Sequence, residues 1–112
     1  MKKTLIIILL SGLTACASYK VLAPSQTDAE RGSATYPGLT LSDLNEGKAI
    51  FESKCGKCHS LQRPFKVSVK DVEKIMPKMA KKAGIDDKKS DLVLRYLITM
   101  KGTAKKYYHA GI

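Results

Sequence analysis

Five consecutive residues, Cys55-Gly56-Lys57-Cys58-His59, carry the densest chemistry in this chain of 112 residues. Two thiols separated by two residues and followed at once by an imidazole form the C-x-x-C-H haem-attachment pattern. The thiols sit about one helical turn apart, so both can reach the two vinyl groups on one edge of a porphyrin. Two thioethers then direct the adjacent histidine at the iron. The His59 imidazole supplies the proximal bond, and its other nitrogen is expected to donate to a backbone carbonyl, with Pro64 the candidate acceptor. The expected cofactor is therefore one covalent haem c, held by Cys55 and Cys58 and ligated by His59. Other uses of a C-x-x-C fit less well. A thioredoxin-like redox pair requires a βαβ setting, and no window of the sequence shows sustained two-residue alternation. A zinc site requires a second Cys/His pair, and the only other histidine, His109, is isolated near the C-terminus.

An electron carrier needs a second strong ligand on the iron, and Met76, Met79, Met100 and His109 are the choices. Met100 ends a helical pattern and is expected to pack, because methionine at helical spacing fills cores. His109 lies in a tail, where a solvated imidazole is the simpler expectation. Met76 and Met79 share one helix face, and the spacing alone leaves both open.

Three helices are expected to position these groups. The first runs from about Ser42 to Lys57, with Ser42 as N-cap and Asp43 and Glu46 at the positive helix end. Leu44, Gly47, Phe51, Cys55 and Cys58 recur at steps of three or four and so share a face. Glycine inside a helix costs roughly 1 kcal/mol against alanine, so Gly47 points to close helix–helix contact. The second helix starts near Ser68, where Ser68 and Asp71 resemble a capping box. Val72, Ile75, Met76 and Met79 form its apolar stripe, and Pro77 predicts a kink or an early end. The third runs from about Asp87 to Met100, burying Leu92, Val93, Tyr96, Leu97 and Met100, with Gly102 as its stop. The expected fold class is all-α, about three helices around one haem. The haem domain spans residues 41–102 and a frayed tail spans 103–112. About 70 residues rarely stabilise themselves on apolar burial alone, and the chain has no tryptophan; a buried porphyrin would complete the core.

The stretch from Leu44 to Met100 resembles a class I cytochrome c domain. Gly47 and Phe51 resemble that family's first-helix glycine and aromatic, and Tyr96-Leu97 resembles its last-helix aromatic–Leu pair, which packs crosswise on the first helix. In small members the ligand methionine lies some 16 residues before that aromatic, ahead of a Val/Ile-x-Asp-Asp-like helix start. Here Met79 precedes Tyr96 by 17 residues, with Ile85-Asp86-Asp87 between them. Met76-Pro77, by contrast, matches a Met-Pro pair common in the family. The resemblance implies His59/Met axial ligation, with Met79 favoured and Met76 the alternative.

The N-terminal segment has its own chemistry. Lys2 and Lys3 precede an unbroken aliphatic run, Leu5 to Leu10, too short to span a bilayer as a helix, which needs about 20 apolar residues. Leu13-Thr14-Ala15-Cys16 follows and resembles the bacterial lipobox. The resemblance implies a lipoprotein signal peptide at 1–15, cleavage before Cys16 and acylation of Cys16; an ordinary secretory signal cut nearby is the alternative. Residues 16–40 then read as a lipidated N-terminus and flexible tether, with Pro24, Gly32, Pro37 and Gly38 among small polar residues. The three cysteines divide into one for lipid and two for haem, leaving no disulfide.

The net charge of +10 falls to +8 when Lys2 and Lys3 are removed, and two ionised propionates would lower it to about +6. A basic surface suits redox partners with acidic docking surfaces, or an anionic membrane surface; a solvated lysine surface is the plain alternative. Nucleic acid is a poor partner for an exported chain. Lys54, Lys57, Lys66 and Lys78 flank the expected haem edge and are candidate docking groups. The residues together suggest a one-electron carrier, not an enzyme, anchored to a bacterial membrane and facing the periplasm or the outer surface. Ala17 after the lipidated cysteine favours the outer membrane in many diderm bacteria. The competing class is an open-site haem protein for gas sensing or peroxidase-like catalysis, for which no clear distal acid–base group is present.

Overall fold

The computed structural model describes residues 21–56, 61 and 63–108, the side chains of 63 and of 105–108 excepted. Short polar residues start its helices. Ser25 caps α1 (Gln26–Gly32) and Thr40 caps α2 (Leu41–Ile50), each in a reciprocal capping box with an aspartate three residues on, Asp28 and Asp43. These side chains satisfy backbone donors that a helix start leaves orphaned. The first long helix thus begins at Leu41, capped by Thr40 in place of Ser42. From Phe51 to Cys55 the chain widens into one π-helical turn. A four-residue helix, α3 (Arg63–Lys66), follows.

Ser68 caps α4 (Val69–Ala83): its hydroxyl accepts from the Asp71 amide at 3.1 Å and donates to the Asp71 carboxylate at 2.7 Å. Gly84 ends α4 in the left-handed conformation, φ 67°. The Ile85 amide reaches back to the Ala80 carbonyl and the Gly84 amide to that of Lys81, the paired closure that satisfies terminal carbonyls. Pro77 neither ends α4 nor shortens it. The exposed Pro77 removes one donor, while Met76 and Ala80 on either side are buried. Asp86 then accepts from the Lys89 amide at 2.8 Å at the start of α5 (Asp87–Tyr108).

The fold is all-α among the described residues, and α5 is its hub: α1, α2, α3 and α4 all pack against it, α2 most extensively. Gly47 makes that packing possible. A Cβ added there would meet the Leu92 carbonyl oxygen and lie 2.9 Å from the Tyr96 Cβ, so the two helices touch backbone to backbone. Leu44, Phe51, Val93, Tyr96, Leu97 and Met100 fill the centre. Phe51, Phe65 and Tyr96 form a triangle of rings with centroids 6.0–6.2 Å apart, two of its three contacts edge-to-face, the geometry that ring quadrupoles favour.

Two boundaries differ from the sequence reading. Residues 25–39, expected to belong to a flexible tether, are folded onto α5, with Ala29 and Leu39 buried. The tail expected from 103 is helical to Tyr108, with Ala104 buried. Both corrections have one cause. Thr103 donates to the Asp28 carboxylate at 2.6 Å and Arg31 donates to the Thr99 carbonyl at 2.9 Å. The α1 segment and the last turns of α5 therefore hold each other, and Gly102 does not stop the helix.

Candidate functional site

The helix expected to present the C-x-x-C-H motif is built as its spacing requires up to the motif itself. Leu44, Gly47 and Phe51 are buried in sequence along one face, and Cys55 is half-buried against the same core cluster. The π-helical turn from Phe51 to Cys55 adds about one residue per turn. Cys58 and His59 lie outside the described residues, as do Lys57, His109 and Cys16. Gly56, within the motif, lies close to Leu61, two residues past it: a Cβ added to Gly56 would lie 3.4 Å from the Leu61 Cδ2.

The segment after the motif is held from α5. The Lys101 ammonium donates to the Phe65 carbonyl at 3.1 Å, to the Pro64 carbonyl at 3.3 Å, and to the Val67 carbonyl. A cation at the end of the short α3 is favourable there, where several carbonyls point outward. The Pro64 carbonyl, the expected acceptor for His59, accepts from Lys101; His59 lies outside the described residues. Nothing in the sequence pattern singled out Lys101; its partners lie 34 to 37 residues away.

The two candidate methionines are placed differently on α4. Met76 is 8% exposed and belongs to the core with Val72, while Ala80, four residues on, is buried to the same degree. That row follows the i, i+4 spacing of one helix face. Met79 is half-buried and stands outside the core cluster. Ile75, one turn before it, is 41% exposed. Ile75 and Met79 therefore form an apolar strip beside the buried row that the described core does not cover. The expected four-residue stripe splits into two faces, one for the core and one open. Exposed Lys70, Lys74, Lys78 and Lys81 recur at helical spacing on the solvent side.

An open groove of about 490 Å³ lies on another flank of α4, between Pro77, Ala80 and Lys81 on one side and Asp87, Ser90 and Leu94 on the other. Met76 lines it as well as packing in the core, and Met79 does not line it. Among the described residues, no three His, Cys, Asp or Glu side chains converge as a metal site, so the groove's Glu73, Asp87 and Asp91 do not form one.

Among the described residues the most enclosed charge is Asp28. Burial alone would raise its carboxyl, but hydrogen bonds from Thr103, from the Ser25 amide and hydroxyl and from Arg31 outweigh that and hold it down at about 2. The sequence offered a signal for this cluster, the Ser25-x-x-Asp28 capping pattern, which the tether reading passed over.

Among the described residues no helix is long and apolar enough to cross a membrane. Lys54, Lys66 and Lys78 are exposed. Comparison with known proteins finds no family model, no curated protein and no solved structure that matches the chain.

Proposed function

We propose that this chain is a lipid-anchored monohaem cytochrome of the class I c type, a one-electron carrier at a membrane surface. The observation that carries the reading is the Cys55-x-x-Cys58-His59 motif of the sequence, whose Cys55 ends the helical run in which Gly47 packs against the Leu92 carbonyl and the Tyr96 Cβ of α5. Cys55 and Cys58 would supply the thioethers and His59 the proximal ligand. Met79 would supply the distal ligand, with Met76 the alternative. The residues fit the group on two counts. The Ile75–Met79 strip is apolar, partly exposed and outside the core, a surface that a porphyrin would cover at about 25 cal/mol per Å² of apolar area removed from water. Met76 already has a place in the core, so its sulfur is the harder one to release.

When bound, haem supplies a one-electron couple, and a His/Met pair raises its potential relative to harder ligands. The chain's own residues would attach, orient and shield the ring. Phe51, Phe65 and Tyr96 would form the apolar floor of the domain, and Lys101 would fix the segment that follows the motif. Exposed Lys54, Lys66 and Lys78, with Lys57, would steer an acidic redox partner at a rate that falls with salt. Cys16 would carry the lipid, placing the domain on the periplasmic or outer face, with the outer membrane favoured.

The test is the spectrum of the protein exported in a host that matures c-type cytochromes. A c-type pyridine haemochrome that survives acid–acetone extraction supports covalent haem, and loss of that signal in Cys55→Ala/Cys58→Ala supports the motif as its site. Extractable or absent haem overturns the reading. A reduced form that binds carbon monoxide rapidly would instead favour the open-site class.

A further inference from the structure

The segment expected to be a leash is fixed to three successive turns of α5. The Tyr96 hydroxyl donates to the Leu22 carbonyl at 2.7 Å. The Arg31 guanidinium donates to the Thr99 carbonyl and to the Thr103 hydroxyl, both at 2.9 Å, and to the Asp28 carboxylate at 2.8 Å. Thr103 completes the ring with Asp28. Gly32 sits so close that an added Cβ would lie 2.7 Å from both the Thr99 Oγ1 and the Leu39 Cδ2. Tyr96, Thr99 and Thr103 follow the i, i+3, i+7 spacing of one helix face, so the segment lies along α5.

We propose that residues 21–39 are a strap that holds the domain against the bilayer surface that anchors it. This rests on the lipidation of Cys16 proposed above. Only four residues, Ala17 to Lys20, separate Cys16 from Val21. Five Cα steps extend to at most about 18 Å. A free segment from 16 to 40 would reach about 80 Å by the same measure. A domain of about 80 residues has a radius of gyration near 12 Å and is about 30 Å across. The strapped domain therefore stays within about 50 Å of the headgroups. The net charge of +8 on the chain from Cys16 onward favours apposition to anionic lipid.

Neutron reflectometry of the full lipidated chain on a supported bilayer of phosphatidylethanolamine and phosphatidylglycerol tests this. Three proteins are compared: wild type, a 20-residue Gly/Ser insertion between Lys20 and Val21, and the strap-release variant Arg31→Ala/Thr103→Val. Wild type should form a protein layer in contact with the headgroups. The insertion should move the layer outward by about 20 Å and broaden it, and strap release should move it in the same direction. Hydrogen exchange keeps the release variant interpretable: wild-type amides of residues 29–39 should be protected, and those of the variant should exchange faster while α2 and α5 stay protected. An acylated wild type whose layer coincides with that of the insertion variant overturns the strap. Absence of acyl mass on Cys16 overturns the anchor and the strap proposal together, and intact mass spectrometry reads that arm separately.

Discussion

Gly47 and Tyr96 meet with no room between their helices: a Cβ on Gly47 would sit 2.9 Å from the Tyr96 Cβ and against the Leu92 carbonyl. Alanine ordinarily stabilises a helix interior by about 1 kcal/mol over glycine. Here the sign should reverse. The obstructing atoms are mostly backbone of α5, which cannot rotate aside, and overpacking of this kind costs about 1–3 kcal/mol. Gly47→Ala should lower the denaturant midpoint, whereas Asn45→Ala, exposed on the same helix, should change stability by no more than about 0.5 kcal/mol. Equal midpoints for the two variants would mean that the helices do not pack at this glycine.

Tyr96 is also the point where the N-terminal segment first meets α5. Tyr96→Phe keeps the buried ring and removes only the hydroxyl that donates to the Leu22 carbonyl. A net loss of about 1 kcal/mol is expected. The change should be local: amide exchange should rise for residues 21–25, while the spectrum of the haem-loaded protein should not change. A shift in the spectrum would place the hydroxyl in a role toward the cofactor.

Asp28 makes the strap acid-sensitive. Its folded carboxyl is held at about 2, below its ordinary 3.8. A carboxyl depressed in the folded state contributes stability that is fully present above the unfolded value and is lost as pH falls through the folded one. That contribution is on the order of 2 kcal/mol at neutral pH, and it should decline between about pH 4 and pH 2. Asp28→Asn should be less stable at pH 7 and should flatten this part of the stability curve. Parallel curves for the two proteins over that window would show that Asp28 is not a source of the acid sensitivity.

These contacts also show where sequence patterns stop being informative. The face of Leu44, Gly47, Phe51 and Cys55, the Ser68 cap and the buried Tyr96-Leu97 pair were legible because helical spacing and capping are local rules. The strap was not. Ala29 and Leu39 are its two buried apolar residues, too few for a periodic signal, and its polar partners lie 68 to 75 residues away. Pro77 and Gly102 failed as stop signals for a related reason. Each local penalty is outweighed by burial on both sides, of Met76 and Ala80 around Pro77 and of Met100 and Ala104 around Gly102. The apolar stripe of α4 was visible, but its division into Met76 inside and Met79 outside depends on how α4 is rotated against α5, which no local pattern fixes.

That rotation gives the two methionines opposite expected phenotypes. Met76→Ala removes a buried side chain and should cost about 2–4 kcal/mol of folding stability. On the proposed reading it leaves the iron low-spin and inert to carbon monoxide. Met79→Ala removes a side chain outside the core, so the protein without haem should lose less than about 1 kcal/mol. With haem, the same variant should turn high-spin and bind carbon monoxide in the reduced state. The pair of measurements separates packing from ligation, because stability without haem reads the core alone and the spectrum reads the iron. If Met76→Ala turns the iron high-spin and Met79→Ala does not, Met76 is the ligand, reached from the groove that it lines, and the Met-Pro match becomes the better guide. If neither substitution changes the spectrum, neither methionine ligates the iron, and the reading moves toward an open-site haem protein.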